Sequence, residues 1–142
     1  MTTLAQLADG RWILTYELGL PDQTFPVHYR IAEDPEEFRH SETIPLVTRE
    51  GRVPNGAPTV AWSSSGGPQG TIIVSDADAK DFFVNRQGGD PGAWTLLSSS
   101  MPAGYSRYVV PLERSGAEQP EGQAFVVTGP TFHDAPTPRS RT

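Results

Sequence analysis

The stretch GRWILTYELG, residues 10–19, carries a run of mostly apolar residues that ends at Tyr16 and Glu17. A carboxylate at the end of a half-buried strand is either a solvated terminus or a side chain aimed into a site, where its chemistry would be proton exchange. Arg107, in GYSRYVV, offers a guanidinium to an anionic or hydroxyl-rich ligand, but it alternates with Tyr105 and Val109 and equally suits a structural pairing. His28, His40 and His133 have no metal-ligand spacing and no partnered nucleophile. The run Glu33-Asp34-Pro35-Glu36-Glu37 has the charge density of a calcium loop without its alternating ligands or its glycine, and reads as a solvated turn. The glycines of SSSGGPQG precede a strand rather than a helix, so no helix N-terminus waits there for a phosphate. Neither a metal nor another cofactor is expected.

Composition narrows the classes. At 142 residues the chain fits one domain, and its net charge of −6 comes with eleven scattered basic residues, of which Lys80 is the sole lysine. That is no nucleic-acid footprint. There is no cysteine, hence no disulfide framework and no thiolate metal site. No window approaches the ~18 apolar residues of a membrane helix, and MTTLAQLADG lacks the regions of a secretory signal. As written, the chain is expected to stay where it is made. Fourteen glycines and fourteen prolines, spread along the sequence, punctuate many short elements.

Those elements are strands, because the apolar pattern has period two or short continuous runs and never a sustained helical series. The predicted strands are 3–7, 12–16, 27–31, 59–63, 71–75, 81–85, 94–97, 107–112 and 124–128, separated by turn signals such as LPDQ, PNGAP and QGGDPG. Laid under one another they repeat. GRWILT (10–15) matches GTIIVS (70–75) at an offset of 60, and GQAFVV (122–127) follows at a further 52. Asp34-Pro35 with Phe38 matches Asp90-Pro91 with Trp94 at an offset of 56. Strand, glycine turn, strand, loop, strand, Asp-Pro turn and aromatic is the order of a four-stranded propeller blade. The aspartate accepts turn N–H groups that would otherwise be orphaned, and the aromatic fills the gap between blades.

Together GRWILTYELG, VHYRIAEDPEEF, GAPTVAWSSSGGPQGTIIVS, FFVNRQGGDPGAW and GYSRYVVPL resemble the C-terminal half of sialidase-like, BNR/Asp-box glycoside hydrolases, especially the exo-acting α-L-arabinanase branch. The resemblance spans residues 3–129, although neither Asp-Pro turn is a full Asp-box. It implies an all-β, partial β-propeller over 1–130, with units at 3–48, 56–100 and 105–129, and a flexible tail at 131–142. Glu17 resembles the glutamate that in retaining sialidases takes the proton of a tyrosine nucleophile, and Tyr105 resembles that tyrosine. In the arabinanase-like branch the same glutamate position can itself be a catalytic carboxylate. Trp62 is a candidate platform for a sugar ring, with core packing as the competing reading.

The implied function is a fragment of an exo-acting glycoside hydrolase with a carbohydrate substrate and no nucleic-acid or membrane partner. The general acid, and in sialidases an arginine cluster, would lie in blades upstream of Met1, so the chain alone is expected to be nearly silent. About three blades cannot close a ring, so open blade edges predict self-association. Similar family members are typically secreted. The alternatives are a noncatalytic β module that binds glycan or a protein partner, and an unrelated β-sandwich.

Overall fold

TIIVS and WILTYE occupy the same place in successive repeats, yet they are buried differently. Four of the five residues of Thr71–Ser75 are β-branched and all five are buried, whereas in Trp12–Glu17 buried residues alternate with partly exposed ones. A strand buried on both faces needs a layer on each side. The computed structural model describes residues 2–78, 80–98, 104, 108–111 and 125–128, and in it Thr71–Ser75 has both layers.

The first sheet runs in the order β1 (Thr2–Gln6), β2 (Trp12–Glu17), β3 (Val27–Ala32) and β4 (Ile44–Pro45), all antiparallel. The second runs β5 (Thr59–Ser63), β6 (Thr71–Ser75), β7 (Phe82–Asn85) and β8 (Trp94–Leu97). A third begins with β9 (Tyr108–Pro111) paired to β10 (Phe125–Thr128). Chain order equals spatial order in each four-stranded sheet, so β2 and β6 are equivalent second strands, as the offset of 60 implies. The fold is all-β, a partial propeller of two full blades and the start of a third. β5 lies beside β1 on one side and β9 on the other, so the first strands of the blades are neighbours.

The main core is the space between the two blades. Ile13, Val27, Tyr29 and Leu46 from the first pack against Ile72, Val74, Phe83 and Trp94 from the second. The Tyr29 and Trp94 rings meet edge to face at 5.3 Å, and the Tyr29 hydroxyl donates to the Gly89 carbonyl at 2.8 Å. Trp94 thus fills the gap between blades. A second core, Ile73, Phe82 and Val84 with Val109, joins the second blade to the third.

The Asp-Pro turns repeat bond for bond. Asp34 Oδ1 accepts from Glu36 N at 2.9 Å and its carbonyl from Glu37 N at 2.9 Å; Asp90 Oδ1 accepts from Gly92 N at 3.0 Å and its carbonyl from Ala93 N at 3.0 Å. The elements that follow differ. Asp90 leads directly into β8, whereas Asp34 caps a 3-10 helix, Pro35–His40, that buries Phe38 before the short β4.

Candidate functional site

Glu17 is the last residue of β2, opposite Val27. Beyond it the chain turns away, and the space at this end of the first two blades is occupied by the segment that joins them, Pro54-Asn55-Gly56-Ala57-Pro58. Each amide of that segment's centre has a fixed acceptor. Asn55 N donates to Asp76 Oδ2 at 2.9 Å, Gly56 N to the Phe25 carbonyl at 2.8 Å, and Ala57 N to Glu17 Oε2 at 2.6 Å. The Ala77 amide in turn reaches the Asn55 and Gly56 carbonyls at 3.0 and 2.9 Å.

Backbone conformation explains why side chains are needed as acceptors. Gly56 and Ala57 both have positive φ, 58° and 40°, so the segment cannot run as a ladder strand and its N–H groups turn toward the blades. Glycine at 56 is also a matter of space, since a Cβ there would stand 2.8 Å from Glu17 Oε2 and 3.1 Å from Phe25 Cβ. The result is a cavity of about 300 Å³ lined by Glu17, Phe25, Asn55, Gly56, Ala57 and Ala77. Ala77 is the repeat equivalent of Glu17 at the offset of 60, so the second blade puts a methyl where the first puts a carboxylate.

The charge on Glu17 is held in place. Hydrogen bonding to the ionised form, in which the Ala57 N–H takes part, keeps its carboxyl below its ordinary range, against an opposing effect of burial. A carboxylate kept ionised suits a base, a nucleophile or an electrostatic role and not a general acid, which needs a raised pKa. Asp76, nearly fully buried, was not foreseen from the sequence; an acid directly after a strand, in VSDAD, was the available signal.

Of the other sequence candidates, Tyr105 and Arg107 lie outside the described residues, as does the expected tail at 131–142. Gly104, the neighbour of Tyr105, donates its amide to the Asp78 carbonyl at 3.2 Å. That contact is with the loop leaving β6, at the same end of the blades as Glu17. Trp62 is at the opposite end, where β5 finishes. Its indole N–H donates to the Gln69 carbonyl at 3.1 Å, and its ring covers the β5–β6 turn so closely that a Cβ on Gly70 would lie 2.6 Å from it. Trp62 and Glu17 are therefore not brought together. No group of acids and histidines among the described residues has the arrangement of a metal site.

No protein-family model and no curated protein matches the chain. Solved structures do. A GH93 α-L-arabinofuranosidase of Fusarium graminearum, in complex with arabinobiose, is 35% identical with a TM-score of 0.74, over 78% of this chain and 33% of the other. The Fusarium arabinofuranosidase with an iminosugar inhibitor gives the same values. An α-L-arabinanase of Penicillium chrysogenum with arabinobiose is 32% identical, TM-score 0.74, over 82% of this chain and 34% of its own. The chain thus spans about a third of the length of the structures it matches, and over most of that span it is similar to β-propeller hydrolases that act on arabinose-containing glycans.

Proposed function

We propose that these blades are part of the ring of an exo-acting glycoside hydrolase, with terminal arabinose units of a glycan as the substrate class. The observation that carries this is the similarity above, 32–35% identity over 78–82% of this chain, combined with a charged carboxylate on a cavity at a blade end. Glu17 is the catalytic carboxylate in this reading. It acts either on Tyr105, taking the proton of a phenol that is otherwise neutral at pH 7, or directly as base or nucleophile. The first assignment is the sialidase-like one. Arg107, close in sequence to Tyr105, is the proposed contact for substrate hydroxyls. The general acid that protonates the leaving sugar oxygen comes from blades outside this sequence, so the 142-residue chain binds sugar but turns over poorly.

The test pairs binding with turnover. Arabinobiose titrated into 15N-labelled chain should shift the amides of Ala57 and Ala77 and leave that of Gln69 unmoved, and Glu17→Gln should weaken the effect. Release of arabinobiose from linear arabinan should be at least ~10²-fold below a complete enzyme, the usual cost of a missing general acid. Absence of any shift at the Glu17 cavity would remove the reading.

A noncatalytic module is the competing function, and one observation favours it: Glu17 Oε2 is already committed to the Ala57 amide at 2.6 Å, which is a structural use of the carboxylate. A module of this kind would show the arabinobiose shifts unchanged in Glu17→Gln.

A further inference from the structure

We infer that Asp76 is a positioning residue for Glu17: it grips the segment that joins the blades and so fixes where the Ala57 amide meets the Glu17 carboxylate. Side chains alternate along a strand, so each strand sends one row into the seam between the blades. In β2 that row is Ile13, Thr15 and Glu17, and Ile13 packs in the core between the blades. In β6 it is Ile72 and Val74, in the same core, and Asp76 is next in the row, one residue past the strand. The two acids therefore enter one seam from opposite blades, at the same end of it. They are not repeat equivalents, since Tyr16 is the counterpart of Asp76 at the offset of 60. The blades differ by one residue in where the acid stands, and that step is what brings one acid from each side.

The joining segment is held between them. Asp76 Oδ2 accepts from Asn55 N at 2.9 Å, and Glu17 Oε2 from Ala57 N at 2.6 Å. Adjacent residues of the second blade grip Asn55 at both of its backbone groups, because the Ala77 amide donates to the Asn55 carbonyl at 3.0 Å. From that fixed point the chain passes through φ 58° at Gly56 and 40° at Ala57 to present the Ala57 N–H to Glu17. An alanine stays in so sparsely populated a region only where its surroundings over-determine it. Asp76 is 6% exposed, and a carboxylate that close to full burial requires hydrogen bonds, which makes the Asn55 contact a firm one. Loosening it lets the segment relax at Ala57, and Glu17 then loses a donor that favours its ionised form. As a role in sugar binding this rests on the reading of Glu17 as the working carboxylate; as a geometric coupling between Asp76 and Glu17 it does not.

The experiment compares two neutral variants, Asp76→Ala and Asp76→Asn, by NMR titration of the Glu17 side chain. Asp76 shares a cavity of about 80 Å³ with Arg52, Asp78, Lys80 and Asp81, so removing its charge alters more than one neighbour. Both variants remove that charge alike, and only Asp76→Asn keeps an oxygen for the Asn55 amide. Loss of a negative neighbour by itself eases the ionisation of Glu17 and lowers its titration, whereas loss of the grip raises it. The expected result is a Glu17 titration at least ~0.5 pH unit higher in Asp76→Ala than in Asp76→Asn, about a threefold difference in proton affinity. The Ala57 amide signal should be displaced in the same variant. Circular dichroism and dispersed amide spectra establish folding. Where Asp76→Ala does not fold, Asp76→Ser takes its place, since a serine hydroxyl stops one bond short of the carboxylate oxygen. Equal Glu17 titrations in the two variants would overturn the proposal and leave Asp76 a turn acceptor only. A second arm adds arabinobiose, whose shift at the Ala57 amide should be weakened at least ~3-fold in Asp76→Ala relative to Asp76→Asn, and equal binding in the two would overturn the role of Asp76 in the site. Were the wild type itself to show no arabinobiose shift, the reading of Glu17 would fail, while the titration would still decide whether Asp76 positions it.

Discussion

The Ala57 amide donates to the Glu17 carboxylate at 2.6 Å across forty residues of sequence, and so fastens the segment between the blades to the end of β2. A hydrogen bond to an ionised acceptor contributes about 1.5–3 kcal/mol against about 0.5–1.5 for a neutral one. Glu17→Gln keeps an oxygen for Ala57 but loses the charge, and is expected to cost about 1 kcal/mol. Glu17→Ala takes the acceptor away from a buried amide and should cost about 1–3 kcal/mol. Urea denaturation of the two variants orders them. If both fall within 0.5 kcal/mol of wild type, the range of ordinary surface changes, the bond contributes nothing to the fold.

The lowered Glu17 carboxyl, to which the Ala57 amide contributes, predicts a pH dependence with a definite sign. The folded state holds the Glu17 carboxyl below its reference value of 4.5, so the folded chain binds fewer protons there than the unfolded chain does. Its contribution to stability is fully present above the unfolded value and is lost as pH falls through the depressed folded one. Wild type should therefore exceed Glu17→Gln in stability at pH 7, and the difference should shrink in acid. A difference that is constant from pH 7 to pH 3 would show that ionisation of Glu17 is not what the fold uses. The NMR titration of the Glu17 side chain checks the direction independently.

Conformation in the joining segment gives a third expectation, of opposite sign at adjacent residues. Ala57 sits at φ 40°, where a Cβ costs about 1–2 kcal/mol, while a glycine would lose about 0.5–1 kcal/mol more entropy on folding. Ala57→Gly should thus be neutral or stabilising by up to about 1 kcal/mol. Gly56→Ala incurs the positive φ of 58° and also drives a methyl toward Glu17 and Phe25, so it should destabilise by at least about 1–2 kcal/mol. Thermal unfolding of the pair measures both, and a destabilising Ala57→Gly would contradict the strain argument.

How much of this was legible in the sequence depended on whether the signal was local. The bounds of β5, β6 and β8 are those read from sequence, because each is a continuous β-favouring run between turn residues. β4 was not foreseen, since Ile44–Pro45 is two residues long and its proline cannot donate to a ladder. The Asp-Pro turns were visible as a spacing, but nothing local said that Asp34 would cap a 3-10 helix and Asp90 would not. Glu17 stood out at a strand end, whereas its partner did not. The Ala57 amide points at it only because tertiary packing holds an alanine in a conformation its identity does not signal. Trp62 shows the converse: an aromatic near the end of a strand invites a sugar, and the fold spends it on Gly70 and the Gln69 carbonyl.

The repeat offers a final comparison, between Thr15 and Ser75, which occupy the same place in β2 and β6 and are both 0% exposed. Thr15 Oγ1 shares a hydrogen bond of 2.8 Å with Thr3 Oγ1, whereas Ser75 Oγ finds no partner among the described residues. A buried hydroxyl without a partner costs about 1–3 kcal/mol in desolvation, and one that is paired contributes about 0.5–1.5 kcal/mol. Thr15→Val, which keeps the shape and removes the hydroxyl, should therefore destabilise by about 1 kcal/mol. Ser75→Ala removes an unpaired group and leaves almost no cavity, so it should stabilise by about 1 kcal/mol. The two substitutions differ in sign at equivalent positions of equivalent strands, which makes urea midpoints of the pair a strict test. Were Ser75→Ala to destabilise as Thr15→Val does, the hydroxyl would have a partner in the folded protein, and the interface between the second and third blades would hold a polar contact that its apolar core of Ile73, Phe82, Val84 and Val109 does not suggest.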